Sequence, residues 1–229
     1  MATHILAFDV ETTGPNLQTN FCPEFGAALV SIETGWPVWK FHTYCAQPAG
    51  RGWDQDTLND FWLVKARERY DIIVANVTSD PLPPLPQDAM RTFVKAVRLA
   101  VETHVPGGVK SVIVVSDTAG FDCEWMDSMM PPDAAPSMRS LLDSKVDRPL
   151  RDVSSVYFGI AGYTSSDDVP RDVETGKRPG SYELACKALG VEQVKTVCDH
   201  THDPTDDAVF IAQRAAHITR ELRLRKNRS

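Results

Sequence analysis

The chain has 229 residues, 42% of them hydrophobic, with 31 acidic side chains against 24 basic ones and a formal charge of −7. That size and balance suit one compact domain and exclude wholesale disorder. No apolar run approaches the ~18 residues of a membrane span, and the acidic total argues against a protein that coats nucleic acid non-specifically. The first residues carry no basic-then-apolar leader, so no signal peptide is expected. Five cysteines, an odd number with no CxxC pair, point to reduced thiols in a cytosolic protein. Cys186, Cys198, His200 and His202 are zinc-ligand types, but they lack the tight paired spacings of structural zinc sites, so zinc is not expected.

Residues 4–10 form a short apolar run that reads as a buried strand. Residues 25–32 and 38–44 read as two more strands, joined by the hairpin signal Glu33-Thr34-Gly35-Trp36-Pro37. A helix is expected over 54–70, where Leu58, Phe61, Trp62 and Lys65 recur at helical spacing. Residues 79–86 are proline-rich and read as a loop. A second helix follows over 87–104, with Met90, Val94, Val97 and Val101 on one stripe. Residues 110–116 give the strongest strand signal, and a short helix is expected over 121–130. The polar stretch 163–180 reads as a long mobile loop. Helices over 181–189 and 205–224 close the chain. Strands first, then helices around a buried strand, predict a three-layer α/β domain spanning residues 1–229.

Three constellations carry chemistry. Asp9 and Glu11, two apart at a strand end, share a face. Buried together they repel, and magnesium or manganese would resolve the conflict; the alternative is two solvated acids. Asp122 heads an apolar stripe with Trp125, Met126 and Met129, although a helix-start acid is common for other reasons. Asp117 is the better capping candidate of the two. In the third constellation Asp203 suits the N-cap, Pro204 the first helical position and Asp206 the third. That sets His202 beside Asp207, which heads the stripe Ile211, Ala215, Ile218 and Leu222. The alternative is a His–Asp pair that only stabilises the helix start, and His200 is a rival for His202 that does not fit the cap. Converging at one sheet edge, Asp9, Glu11, Asp122 and Asp207 could hold two divalent ions about 3.5–4 Å apart, an arrangement suited to in-line attack on a phosphodiester. His202 is the natural general base.

The motifs Phe8-Asp9-Val10-Glu11-Thr12-Thr13-Gly14, Gly120-Phe121-Asp122 and His202-Asp203-Pro204-Thr205-Asp206-Asp207-Ala208 together resemble the DEDDh exonucleases of the ribonuclease H-like superfamily. A narrower likeness, to phage exonuclease A and the mycobacterial-type 3′→5′ exoribonucleases, rests on Thr57-Leu58, Phe61-Trp62 and Arg151-Asp152-Val153. The resemblance implies a mixed sheet of five or six strands flanked by helices. It implies release of nucleoside 5′-monophosphates from single-stranded 3′ ends. It implies Asp9, Glu11, Asp122 and Asp207 as ligands of two Mg²⁺ or Mn²⁺ ions and His202 as base. Thr12 and Thr13 would meet the terminal nucleotide. Trp62 would stack on a base or pack in the core. Tyrosine-type proofreading relatives are excluded by His202, and Pro204 stands where alanine is common. RNA is placed slightly ahead of DNA. A homodimer with no membrane attachment is expected, in the cytoplasm of a bacterium or of the host of a phage or virus.

The alternatives are an idle nucleic-acid-binding domain on the same fold, and an endonuclease or nucleotide phosphohydrolase using the same metals. The charge does not exclude a nucleic-acid partner. Two divalent ions would bring −7 to about −3. Residues 220–229 add Arg220, Arg223, Arg225, Lys226 and Arg228 against Glu221, read as a solvated basic tail or as a handle for phosphates.

Overall fold

The computed structural model describes residues 1–131, 133, 137–142, 150–172 and 175–228. Its strands are β1 (His4–Glu11), β2 (Glu24–Ser31), β3 (Pro37–Tyr44), β4 (Val112–Ser116) and β5 (Arg151–Asp152). They make one mixed sheet in the order β3-β2-β1-β4-β5. β1 and β2 are buried on both faces and so read as continuous apolar runs rather than alternating ones. β3 lies at the sheet edge and keeps a mixed, partly exposed pattern.

Register places the acids. β1 runs antiparallel to β2, with Asp9 opposite Gly26 and Glu11 opposite Glu24. It runs parallel to β4, and that ladder ends at Ala7 opposite Val115. β1 therefore carries Asp9 and Glu11 past its pairing with β4, into the crevice at the carboxyl ends of the parallel strands.

Helices cover both faces. Leu6, Phe8 and Val10 pack toward α3 (Pro86–His104) and α4 (Ala119–Met129). Ile5 and Ala7 pack toward α5 (Val153–Ala161), α6 (Ser181–Leu189) and α7 (Pro204–Lys226). Asp9 and Glu11 continue the second of these faces, under α7. None of the described helices is long and apolar enough to cross a membrane.

Several expectations are corrected. The helix expected over 54–70 is broken into α1 (Gln55–Thr57), a π-helical turn (Leu58–Trp62) and a separate α2 (Arg67–Val77). The break follows from Trp62, which turns inward to a small core with Ala66, Ile73 and Val77. Residues 108–111 form a 3₁₀ turn after Gly107, which sits at φ 89°, so β4 starts only at Val112. α5 and β5 were not expected. α5 is VSSVYFGIA, with no polar stripe to give a helical period. Residues 163–180 carry a 3₁₀ turn, Ser166–Asp168, closed by a capping box from Ser165; residues 173 and 174 lie outside the described residues. The basic end is helical to Lys226 rather than a frayed tail. Arg220, Arg223 and Arg225 donate to the carbonyls of Glu33, Ala2 and Leu189. Residue 229 of that expected tail lies outside the described residues.

Candidate active site

The crevice begins with α7. Asp203 caps this helix, its Oδ1 accepting from the N–H groups of Thr205 (2.9 Å) and Asp206 (3.3 Å), and Pro204 takes the first position. Gly26 lets the helix start sit directly on the sheet. A Cβ there would lie 2.4 Å from the Thr205 nitrogen. Because Gly26 is the register partner of Asp9, this contact sets Asp207, one turn into α7, over the end of β1.

Asp9, Glu11 and Asp207 each offer a carboxylate oxygen within 4.8 Å of the others. Asp207 is buried, and both its oxygens are fixed by backbone N–H groups, from Thr201 at 2.8 Å and His202 at 3.0 Å. Asp122 stands at the start of α4 and does not join the three at that distance. It is oriented by Ser116 Oγ, which donates to its Oδ2. It is still the carboxylate that acts most strongly on Asp9.

The electrostatics follow from this crowding. Burial, then Asp122, Glu11 and Asp207, push the Asp9 carboxyl well above the usual range. Burial, then Glu24 and Asp207, do the same to Glu11. Burial pushes Asp122 up to about 7, against the stabilising bond from Ser116. Arg69 of α2 pulls the Glu11 pKa down against these effects, but its guanidinium is committed elsewhere. It forks onto Glu24 and reaches Asp203 at 2.8 Å, with His42 completing the group 3.0 Å from Glu24. Among the described residues the acids thus face one another without a cation of their own. A set of carboxylate oxygens with raised proton affinity suits a hard divalent ion.

The histidines divide their tasks differently from expectation. The imidazole on Asp207 is that of His200, its Nδ1 3.1 Å from Oδ2. His202 meets Asp207 through its backbone. Its φ of 59°, left-handed for a non-glycine residue, swings the ring toward Glu11, with Nδ1 3.9 Å from Oε1. The ring rests edge-on against Phe61, with centroids 5.0 Å apart. Burial, then His200, lower the His202 pKa, which favours a neutral ring. The bond to Asp207 raises that of His200. Cys198 is turned away, its Sγ donating to the Asp206 carbonyl.

Three expectations for the surroundings are corrected. Trp62 is buried, with its indole N–H donated to the Thr12 carbonyl at 3.1 Å, so it has no open face for a base. The aromatic at the crevice is its neighbour Phe61. Thr13 is buried and structural; its Oγ1 accepts from Phe21 N–H (2.9 Å) and donates to the Gly52 carbonyl (2.8 Å). Thr12 remains partly exposed beside Glu11. Asp117 is not the cap of α4, because it accepts from Ser154 Oγ at 2.6 Å. The α4 start is served instead by Asp152, which accepts from Ala119 N–H at 3.3 Å. Ser116, Arg69 and Glu24 have no motif of their own, and the sequence gives no signal for their roles.

No protein-family model matches this chain, and no curated protein sequence matches it. Solved structures do resemble it. The nuclease CRN-4 (cell-death related nuclease 4) superposes with a TM-score of 0.54 at 11% identity, over 98% of this chain and 64% of its own. Product-bound exonuclease I gives 0.51 at 16%, over 98% of this chain and 45% of its own. The nuclease domain of 3′hExo, a DEDDh family member bound to rAMP, gives 0.51 at 13%, over 98% and 93%. This chain therefore spans under half of exonuclease I and less than two thirds of CRN-4. The chain has the ribonuclease H-like α/β fold of these nucleases, a mixed five-stranded sheet flanked by helices.

Proposed function

We propose that this chain is a metal-dependent 3′→5′ exonuclease that shortens single-stranded nucleic acid to nucleoside 5′-monophosphates. One observation carries the reading. Asp9, Glu11 and Asp207 converge within 4.8 Å, burial and the neighbouring acids drive up the proton affinity of Asp9, and an imidazole with a lowered pKa stands at the rim. Perturbed acids gathered in a crevice with a base are the signature of a site rather than of a surface.

Asp9, Glu11, Asp122 and Asp207 would hold two divalent cations, Mg²⁺ or Mn²⁺, which when bound neutralise the acids and polarise the phosphodiester. The chain's own residues do the rest. Ser116 and the Thr201 and His202 amides hold two of the carboxylates in fixed orientations. His202 takes a water proton at Nδ1, the ring nitrogen that faces Glu11 across the crevice. Thr12 and Phe61 receive the terminal nucleotide. RNA stands slightly ahead of DNA as substrate. The reading also includes a homodimer, a cytoplasmic setting and the narrower likeness to phage exonuclease A and mycobacterial-type exoribonucleases.

The test uses matched 5′-labelled RNA and DNA strands with Mg²⁺ or Mn²⁺. The expected result is a ladder shortened one nucleotide at a time from a free 3′ end. Cleavage that ignores a 3′-phosphate block overturns the exonuclease reading and favours an endonuclease.

A further inference from the structure

Beside the acids lies a second cavity, of about 220 Å³, between α5, α6 and the first turns of α7. Its wall includes Asp117, Ser154, Tyr157, Ser181, His200 and Arg214. His200 is the imidazole on Asp207, and Asp117 is near enough to raise the pKa of both Asp9 and Asp122, so the cavity adjoins the crevice.

Two polar atoms on this wall lack partners. The Tyr157 hydroxyl, on a residue only 4% exposed, is buried and makes no hydrogen bond among the described residues, and Arg214 Nε is likewise buried and unbonded among them. Buried polar groups are rarely left unmade, because each forfeits its bonds to water. Arg214 is held between two rings, its guanidinium carbon 3.6 Å from the centroid of Phe210 and 4.7 Å from that of Tyr182. It forms no ion pair with a described residue. Neither wall carboxylate pairs with it: Asp117 accepts from Ser154 and acts on Arg214 only through its charge, and Glu183 is exposed. A fixed guanidinium and a phenol, both with unused donors beside a phosphodiester-cleaving crevice, are suited to a phosphate.

We infer that Arg214 and the Tyr157 hydroxyl, juxtaposed in this cavity, bind the bridging phosphate one nucleotide upstream of the scissile bond. The inference rests on the exonuclease reading and deepens it. Thr12 and Phe61 stand on the β1–α1 flank of the acids, whereas the cavity stands on the β5–α5 flank. A strand whose last nucleotide meets the first flank leaves its remaining backbone on the second.

The experiment uses oligonucleotides with one neutral methylphosphonate between the second and third nucleotides from the 3′ end, with a deoxyribose at the third position so that the linkage is stable. In the wild type the neutral linkage raises KM about 10-fold, the effect of one lost charge-assisted contact. In Tyr157→Phe and Arg214→Met the charged substrate already shows the raised KM, and neutralising the phosphate changes it less than about 2-fold. Tyr157→Phe melts at or above the wild-type temperature, because it deletes only an unpartnered hydroxyl. A wild type indifferent to the neutral linkage, or variants that keep full sensitivity to it, overturns the inference. The p-nitrophenyl ester of thymidine 5′-phosphate, which lacks the upstream phosphate, separates the two ideas. A wild type that cleaves neither this ester nor any oligonucleotide overturns the exonuclease reading itself.

Discussion

At the scale of single residues, the crevice makes Asp9 and His202 separable. Asp9 is crowded by four other carboxylates, those of Asp122, Glu11, Asp207 and Asp117. Asp9→Asn removes the cost of burying that carboxyl among its neighbours, so the metal-free variant should melt no lower than the wild type while hydrolysis falls by about two to three orders of magnitude. Wild-type turnover in this variant would remove Asp9 from the metal set. His202 touches the acids only across 3.9 Å, and its imidazole carries no fold-defining bond. His202→Ala should lower kcat by about 10²–10⁴-fold, the usual range for a lost general base. Divalent-ion affinity, read by calorimetry, should stay within about 2-fold of wild type for a residue that moves a proton and holds no ion. The structure also gives His200 a direct bond to Asp207. A large loss of metal affinity in His200→Ala, with little in His202→Ala, would assign that ring to orienting Asp207.

At the scale of elements, the start of α7 is the part on which the site depends most. Its cap, its proline and the placement of Asp207 one turn inside were all legible, because capping chemistry is local and leaves a fixed spacing. That the imidazole bonded to Asp207 is the one of His200 was not. It depends on the left-handed backbone at His202, which no residue type demands. Asp122 could be placed at the head of an apolar stripe, but its tether to Ser116 comes from the meeting of β4 and α4. Trp62 and Phe61 are adjacent and equally aromatic. Only the π-helical turn decides which one faces the core. The same element suggests a test. Gly26→Ala drives a methyl into the backbone of Pro204 and Thr205. Overpacking backbone that cannot yield should cost about 2–3 kcal/mol, seen in urea titration. Because α7 must lift, activity should fall further than stability alone explains. Wild-type activity in a folded Gly26→Ala protein would show that Asp207 needs no such close approach.

At the scale of the whole molecule, the acids link stability to pH and to metal. Three carboxyls of the crevice, those of Asp9, Glu11 and Asp122, have folded pKa values above their ordinary ones, Asp122 at about 7, and burial raises that of Asp127 outside it. Below about pH 4 both folded and unfolded chains hold these protons, so the groups favour neither state. As pH rises the unfolded chain releases its protons first. The folded chain then binds more protons, and stability falls with pH until the folded values are passed. For Asp122 that window runs from about pH 4 to about pH 7, and the other two act in the same direction. His200, whose pKa is raised by Asp207, loses its contribution in the same direction. His4, His202 and His217, lowered by burial, act oppositely, but only below about pH 6.5. The metal-free protein should therefore lose melting temperature as pH rises above about 6.5, where the opposing histidines no longer contribute. Magnesium or manganese should restore it, because ions that bind only the folded state stabilise it by mass action and compete with the protons. The gain on adding metal should grow with pH and vanish in Asp9→Asn. A metal-induced gain that is the same at pH 5.5 and pH 8 would mean that the ion binds elsewhere, and that the four carboxylates are not its ligands.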